Sequence, residues 1–153
     1  MANTYTQIHI HAISVVKYRE AMISKRWKTE LHKYMTGIIQ NQGHKLVAIN
    51  SVPDHIHMLI GLRPVQSLSD LMEKVKGDSS LWINDHHLTP KHFNWQKGFS
   101  AFSVSYSAVD TVVKYIMNQE EHHQKKSFKE EHLDMLRENN VDFDEKYLFE
   151  DLQ

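Results

Sequence analysis

Two imidazoles sit two residues apart in Val52-Pro53-Asp54-His55-Ile56-His57-Met58-Leu59-Ile60, and a tyrosine follows in Lys114-Tyr115-Ile116-Met117-Asn118-Gln119. Pro53-Asp54 is a turn signal, and the run after it is apolar and β-prone. In a strand, side chains at i and i+2 leave the same face. His55 and His57 would then point the same way, which suits two ligands of one divalent metal. Tyr115 and Gln119 are four apart, one helical turn, and share a face. Two histidines, an amide and a phenol can form a phosphoryl-transfer site in which a metal polarises the phosphate and the tyrosine attacks it.

Spacing alone does not single these residues out. The chain has 12 histidines, and His9-Ile10-His11 repeats the same pattern in another β-prone stretch. A tyrosine is amphipathic and common at core edges, and a glutamine on a helix is ordinarily solvated. The signal is the combination and its surroundings.

The elements that must position these groups can be read from periodicity and punctuation. With 153 residues, 41% hydrophobic and 24% charged, the chain has globular values and enough length for one sizeable core. Residues 7–16 alternate in part and form a first strand. Ser24 is a candidate N-cap for a helix to Asn41 carrying Trp27, Leu31, Tyr34 and Ile38, with Gly43 as its stop. Residues 45–51 and 55–62 form a hairpin across Pro53-Asp54. Ser67 opens a second helix. Residues 90–94 are loop, and residues 95–105 form a fourth strand. Ser107 is a candidate N-cap for a third helix, 108 to about 123. A short helix, 128–138, precedes an irregular acidic end. The order β-α-β-β-α-β-α gives an α+β, ferredoxin-like (split βαβ) four-stranded antiparallel sheet with helices on one face, plus an added nucleophile-bearing helix. The whole chain, 1–153, is expected to be one domain, with a core at about 5–125 and a helical, acidic tail at about 127–153. The hairpin strand with His55 and His57 would be central and its site face open.

Composition narrows the chemistry further. There are no cysteines, so thiolate zinc sites and disulfides are excluded and a reducing, cytoplasmic setting fits. No secretory signal is visible at the N-terminus, and no apolar run approaches a membrane span. The formal net charge is −1, against a protein that coats duplex DNA but not against a local basic groove. Acidic residues gather from Glu130 onward, including Glu131, Asp134 and Glu138, and read as a solvated helix face. Trp27, Trp82 and Trp95 read as core.

With these residues in view, the chain resembles the single-tyrosine HUH transposases of small bacterial insertion sequences, the IS200-like and REP-associated tyrosine transposases. Asp54-His55-Ile56-His57-Met58-Leu59 fits the His-apolar-His motif. Lys17-Tyr18-Arg19 resembles the family's Lys-x-Arg, and Lys76-Gly77-Asp78-Ser79-Ser80 its Lys-Gly-x-Ser/Thr-Ser segment. Trp95-Gln96-Lys97-Gly98-Phe99 resembles Trp-x-x-Gly-aromatic, and Val113-Lys114-Tyr115-Ile116-Met117-Asn118-Gln119 the nucleophile helix. Five motifs in order decide between the two histidine pairs, leaving His9 and His11 structural or DNA-facing.

The resemblance implies a metal-dependent enzyme that cleaves and rejoins single-stranded DNA at hairpin-flanked ends through a 5′-phosphotyrosine intermediate. Tyr115 is the implied nucleophile. His55, His57 and Gln119 are the implied ligands of Mg²⁺ or Mn²⁺, with His123 a possible substitute one turn along and His122 pointing elsewhere. Lys17, Arg19 and Lys76 are the implied DNA contacts. The implied assembly is a homodimer, cytoplasmic in a bacterium and nucleoid-associated when active. Competing readings are a domesticated, non-cutting binder of hairpin nucleic acid, an RNA-binding ferredoxin-like domain, and a metal hydrolase in which Tyr115 is dispensable.

Overall fold

The strand that carries the histidine pair is buried on both faces, and the rest of the architecture follows from covering it. In the computed structural model, which describes residues 3–144, this strand is β3 (His55–Gly61), preceded by β1 (His9–Val15) and β2 (Lys45–Val52) and followed by β4 (Ser100–Val104). The strands form one antiparallel sheet in the order β2-β3-β1-β4, so β3 and β1 are central. The acidic positions Glu145, Glu150 and Asp151 lie outside the described residues.

Even-numbered side chains of β3 point to one face. There Ile56, Met58 and Ile60 pack with Ala12 of β1 against α1 (Lys28–Asn41) and α2 (Leu68–Asp85). Leu31, Met35 and Ile39 of α1 and Leu71, Met72, Val75 and Ile83 of α2 fall at helical spacing and are fully buried. Each such aliphatic side chain contributes about 1.5–3 kcal/mol. This is the ferredoxin-like core expected from the sequence.

Odd-numbered side chains, His55, His57 and Leu59, point to the opposite face. That face is covered by α3 (Val109–Met117), α4 (Gln119–His123) and α5 (Phe128–Glu138). Leu59 and Ala48 pack on Ile116 of α3, and Ile13 and Phe102 pack on Phe128 and Leu136 of α5. The site face is therefore roofed, and both histidines have 0% exposure.

Several boundaries differ from the sequence reading. Ser24 does not cap α1: its Oγ accepts from the Arg26 N–H, while the helix begins at Lys28. Ser107 lies inside a 3₁₀ turn, Tyr106–Ala108, and makes no cap. Residues 95–99 are not strand; only Trp95 bridges back to Val16 before β4 starts at Ser100. The third helix is two helices, because Asn118 leaves helical geometry at φ −99°, ψ 21°. Ser67 and Ser127 do cap α2 and α5, accepting from the Asp70 and Glu130 N–H groups. Trp27 and Trp95 are buried, whereas Trp82 is half-buried and stacks on Tyr34.

Candidate active site and metal centre

His55 and His57 emerge side by side from β3, and four further elements bring groups to them. Asp54, in the hairpin turn, accepts a hydrogen bond from Nδ1 of His55 at 2.7 Å. This turns Nε2 of His55 into the site, where it is buried and makes no hydrogen bond. His11 of β1 is the diagonal cross-strand neighbour of His57, and its Nε2 lies 2.7 Å from Nδ1 of His57. Nε2 of His57 therefore faces the same space as Nε2 of His55.

Glu131 of α5 fills the other side. Its Oε1 lies 3.1 Å from Nε2 of His57 and 3.7 Å from Nε2 of His55. Its Oε2 lies 3.3 Å from Nε2 of His123 and 3.2 Å from Nε2 of His122. One ligand atom each from His55, His57, His123 and Glu131 falls within 4.8 Å of the others. Neighbouring ligands around an ion bound at about 2.1 Å sit about 3 Å apart. With the unbonded Nε2 of His55, this makes the cluster a fit for one divalent ion. Three imidazoles and a carboxylate form a mixed N/O set that accepts Mn²⁺ or Mg²⁺ as well as softer ions.

Tyr115 stands next to this cluster. Its hydroxyl donates to Oε2 of Glu131, so a single buried carboxylate touches both the phenol and the histidine cluster. Burial raises the Tyr115 pKa above the usual phenol value, and the hydrogen bond and charge of Glu131 raise it further. Burial would push Glu131 up, but hydrogen bonds from His123, His57 and Tyr115 hold its carboxyl well below the usual range. Burial pushes His57 down to about 3 and His11 down to about 4, so both are neutral at physiological pH. Beyond Tyr115 a cleft of about 470 Å³ opens between β4, α3 and α5, lined by His11, Phe102, Tyr115, His122 and Glu131.

Asn50 of β2 holds α3 in place. Its Nδ2 donates to the carbonyls of Ile116 (2.9 Å) and Met117 (3.2 Å), while its Oδ1 accepts from the Ser51 N–H at 3.0 Å. These are carbonyls of the last turn of α3, which lack helical partners. The bonds pin the chain just before α3 gives way to α4, starting one residue after Tyr115.

The positions singled out from sequence divide into two groups. His55, His57, Tyr115 and His123 converge. Gln119 is buried beside them; its Nε2 donates to the Tyr115 carbonyl at 3.2 Å and its Oε1 lies 2.9 Å from Nε2 of His123. Lys17, Arg19 and Lys76 are elsewhere. Lys17 and Arg19 occupy a 3₁₀ turn after β1, with the Lys17 ammonium 5.3 Å from the Tyr18 ring centroid. Lys76 donates to the carbonyls of Gln96 (2.7 Å) and Gly98, so it clamps the loop before β4.

His122, expected to point elsewhere, reaches Glu131 because α5 lies alongside α4 and its carboxylate spans both neighbours. Glu131 itself was grouped with a solvated acidic face yet is 2% exposed. The sequence did carry a sign of this: Phe128, Glu131, His132, Met135 and Leu136 are at i, i+3, i+4, i+7 and i+8, the stripe of a helix face turned inward. His11 was marked only as half of a rival histidine pair, and Asn50 had no local mark.

Likeness to known proteins places the fold in a family. A model of the family described as Transposase IS200 like matches residues 4–119. The ISDra2 transposase TnpA of Deinococcus radiodurans is 25% identical over 118 residues, covering 74% of this chain and 84% of that protein. A crystal structure described as that of a transposase from Deinococcus radiodurans R1 aligns with a TM-score of 0.61 at 24% identity, covering 78% of this chain and 96% of that one. A REP-associated tyrosine transposase bound to a REP hairpin aligns with a TM-score of 0.60 at 15% identity, covering 80% of this chain and 73% of that one. The two structures share the fold, and the family match ends at Gln119, before α5 and Glu131. This chain belongs to the family of IS200-like transposases.

Proposed function

We propose that the protein cleaves and rejoins single-stranded DNA at hairpin-bearing ends, with Tyr115 as the nucleophile and a divalent ion, Mg²⁺ or Mn²⁺, held by His55 and His57 together with His123 and Glu131. The observation that carries this reading is the shared carboxylate: Glu131 accepts the Tyr115 hydroxyl with one oxygen and faces the histidine pair with the other. Nucleophile and cation site are thus adjacent, as an attack on a phosphate requires. Hairpin DNA as the substrate is supported by the hairpin-bound relative.

When bound, the ion supplies charge stabilisation to a phosphate oxygen. The chain's own residues do the rest. Asp54 orients His55, Asn50 fixes the end of α3, and Glu131 holds the phenol. Tyr115 is protonated at neutral pH, so its proton must leave as it attacks; Glu131, whose carboxyl is held well below the usual range, orients the hydroxyl by its hydrogen bond, and the proton passes to solvent in the adjoining cleft. The Tyr115 oxygen bonds to phosphorus, the bond from phosphorus to the 3′ oxygen breaks, and that oxygen takes up a proton to become a 3′-OH. The 5′-phosphotyrosine link keeps the phosphodiester energy, so attack by a 3′-OH rejoins DNA without a nucleotide cofactor.

Gln119 stays in the proposal as a buried neighbour that orients His123 and as a further candidate ligand. Lys17 and Arg19 remain proposed DNA contacts; Lys76 is proposed to act on DNA only through the loop it clamps. Tyr115 meets the histidine pair of its own polypeptide, so in a homodimer of this kind each subunit would carry a complete site. No helix among the described residues is long and apolar enough to cross a membrane. A non-cutting hairpin binder is opposed by the intact cluster, since binding alone gives no reason to bury two imidazoles and a carboxylate against a tyrosine. The test is incubation with Mn²⁺ and labelled single-stranded hairpin DNA from the flanks of the gene. A metal-dependent covalent adduct, absent from Tyr115→Phe, is expected. Cleavage without an adduct and unaffected by the substitution would overturn the proposal.

A further inference from the structure

The second histidine pair, His9-Ile10-His11, divides its roles. His9 lies at the start of β1 beside the exposed Gln7, whereas His11 is buried within the site. We propose that His11 is a positioning residue that fixes His57 as a cation ligand. The inference rests on the metal-centre reading above and deepens it.

A neutral imidazole has one N–H and one lone pair. Without a cation, Nε2 of His57 lies 3.1 Å from Oε1 of Glu131 and donates to it; for Nε2 to offer its lone pair to a cation instead, the ring proton must move to Nδ1. That N–H, in a fully buried ring, needs an acceptor. Nε2 of His11 lies 2.7 Å from it, within hydrogen-bond distance. His11 must then carry its own proton on Nδ1, leaving Nε2 as the acceptor.

His55 is built the same way, with the Asp54 carboxylate accepting from Nδ1 and Nε2 left to face the site. Both ligand histidines thus have a partner on the ring nitrogen turned away from the cluster. Such partners set the tautomer and ring orientation of ligating histidines. His11 is not itself a ligand, because its Nε2 is spent on the far side of the His57 ring. It also lines the cleft, with its ring centroid 6.1 Å from that of Tyr115. Reorienting His57 would therefore be felt on the nucleophile's side as well.

The experiment is Mn²⁺ binding by calorimetry to wild type, His57→Ala, His11→Phe and His11→Gln, with far-UV circular dichroism to confirm folding. His11→Phe keeps an aromatic ring in the same packing but removes the acceptor. It is expected to weaken Mn²⁺ binding by about 10–100-fold. His11→Gln can place its amide oxygen where Nε2 stood and is expected to stay within a few-fold of wild type. Mn²⁺ binding by His11→Phe equal to wild type would overturn the inference, as would equal loss in both folded variants.

A second measurement uses wild type alone: the ¹⁵N tautomer of His57 in the Mg²⁺-loaded protein. A proton on Nδ1 supports the assignment and a proton on Nε2 overturns it. If wild type binds no Mn²⁺, or His57→Ala binds it as well as wild type, the metal centre itself is refuted, and that result is distinct from a failure of His11 alone.

Discussion

Replacing Asn50 by aspartate should loosen the nucleophile helix while leaving the strand that carries Asn50 intact. The two side chains are the same size, and aspartate still accepts from the Ser51 N–H. The Nδ2 donor is lost. The carbonyls of Ile116 and Met117, at 2.9 and 3.2 Å, would then face a carboxylate oxygen. Leaving a buried polar group unpaired costs about 1–3 kcal/mol. One of the two bonds is fully buried and the other part-buried, so a loss of about 2–4 kcal/mol is expected. For a chain of this size that lowers Tm by roughly 4–16 °C at 2–4 °C per kcal/mol. Activity should fall further than stability, because Tyr115 is one residue from the first of these carbonyls and a displacement of about 1 Å can cost about 100-fold in rate. The assay is thermal unfolding followed by yield of covalent DNA adduct at a temperature where both proteins are folded. Asn50→Asp with a Tm within about 1 °C of wild type and an undiminished adduct would refute the reasoning that Asn50 anchors α3.

Other expectations follow from single contacts. Glu131→Gln should weaken Mn²⁺ binding by more than the roughly tenfold typical of the mildest outer partner, read by calorimetry. The same variant should let the Tyr115 phenol ionise at lower pH, read by ultraviolet titration, since a negative charge beside it is gone. His32 is a pH-sensitive element of the fold: burial first, then the Lys28 charge, lowers it to about 4, and its Nε2 lies 2.8 Å from the Ser51 hydroxyl. An unfolded histidine titrates near 6.5, so between these values the unfolded chain binds more protons and stability falls as pH falls. After discounting for partial exposure the loss from pH 7 to 5 is about 1 kcal/mol, and His32→Gln should reduce it in urea unfolding; an unchanged pH dependence would refute the assignment. Lys76→Met should destabilise the fold by about 1–3 kcal/mol through loss of charge-assisted bonds to two carbonyls, without the change in salt dependence that loss of a direct phosphate contact would give in a DNA-binding titration.

The fold was legible because its punctuation is local. Pro53-Asp54, Gly43 and Ser67 mark the hairpin, a helix stop and a helix start, and the alternation in β3 decides which side chains face which layer. What was not legible came from contacts distant in sequence. No glycine or proline marks the break at Asn118; it is where Asn50, 66 residues from Ile116, ties down the chain. Ser24 and Ser107 have the chemistry of caps but fall in turns that lead into the helices. The histidine pair and Tyr115 could be found from motif and spacing, because the strand and the helix each hold their own chemistry. Glu131 was harder to assign, since an acidic run is ordinarily solvated; the stripe from Phe128 to Leu136 marks an inward face, but only the position of α5 over the sheet brings that carboxylate to the histidines. His11 looked like a rival pair; the cross-strand diagonal makes it a neighbour of His57 instead.

In the proposed reaction Tyr115 becomes covalently linked to DNA. The most direct measurement is mass spectrometry of the protein after reaction with a single-stranded hairpin substrate and Mn²⁺, with the modified peptide sequenced. One oligonucleotide fragment attached through a 5′-phosphate to Tyr115 is expected. Attachment to another residue, or cleaved DNA with no modified peptide, would contradict it.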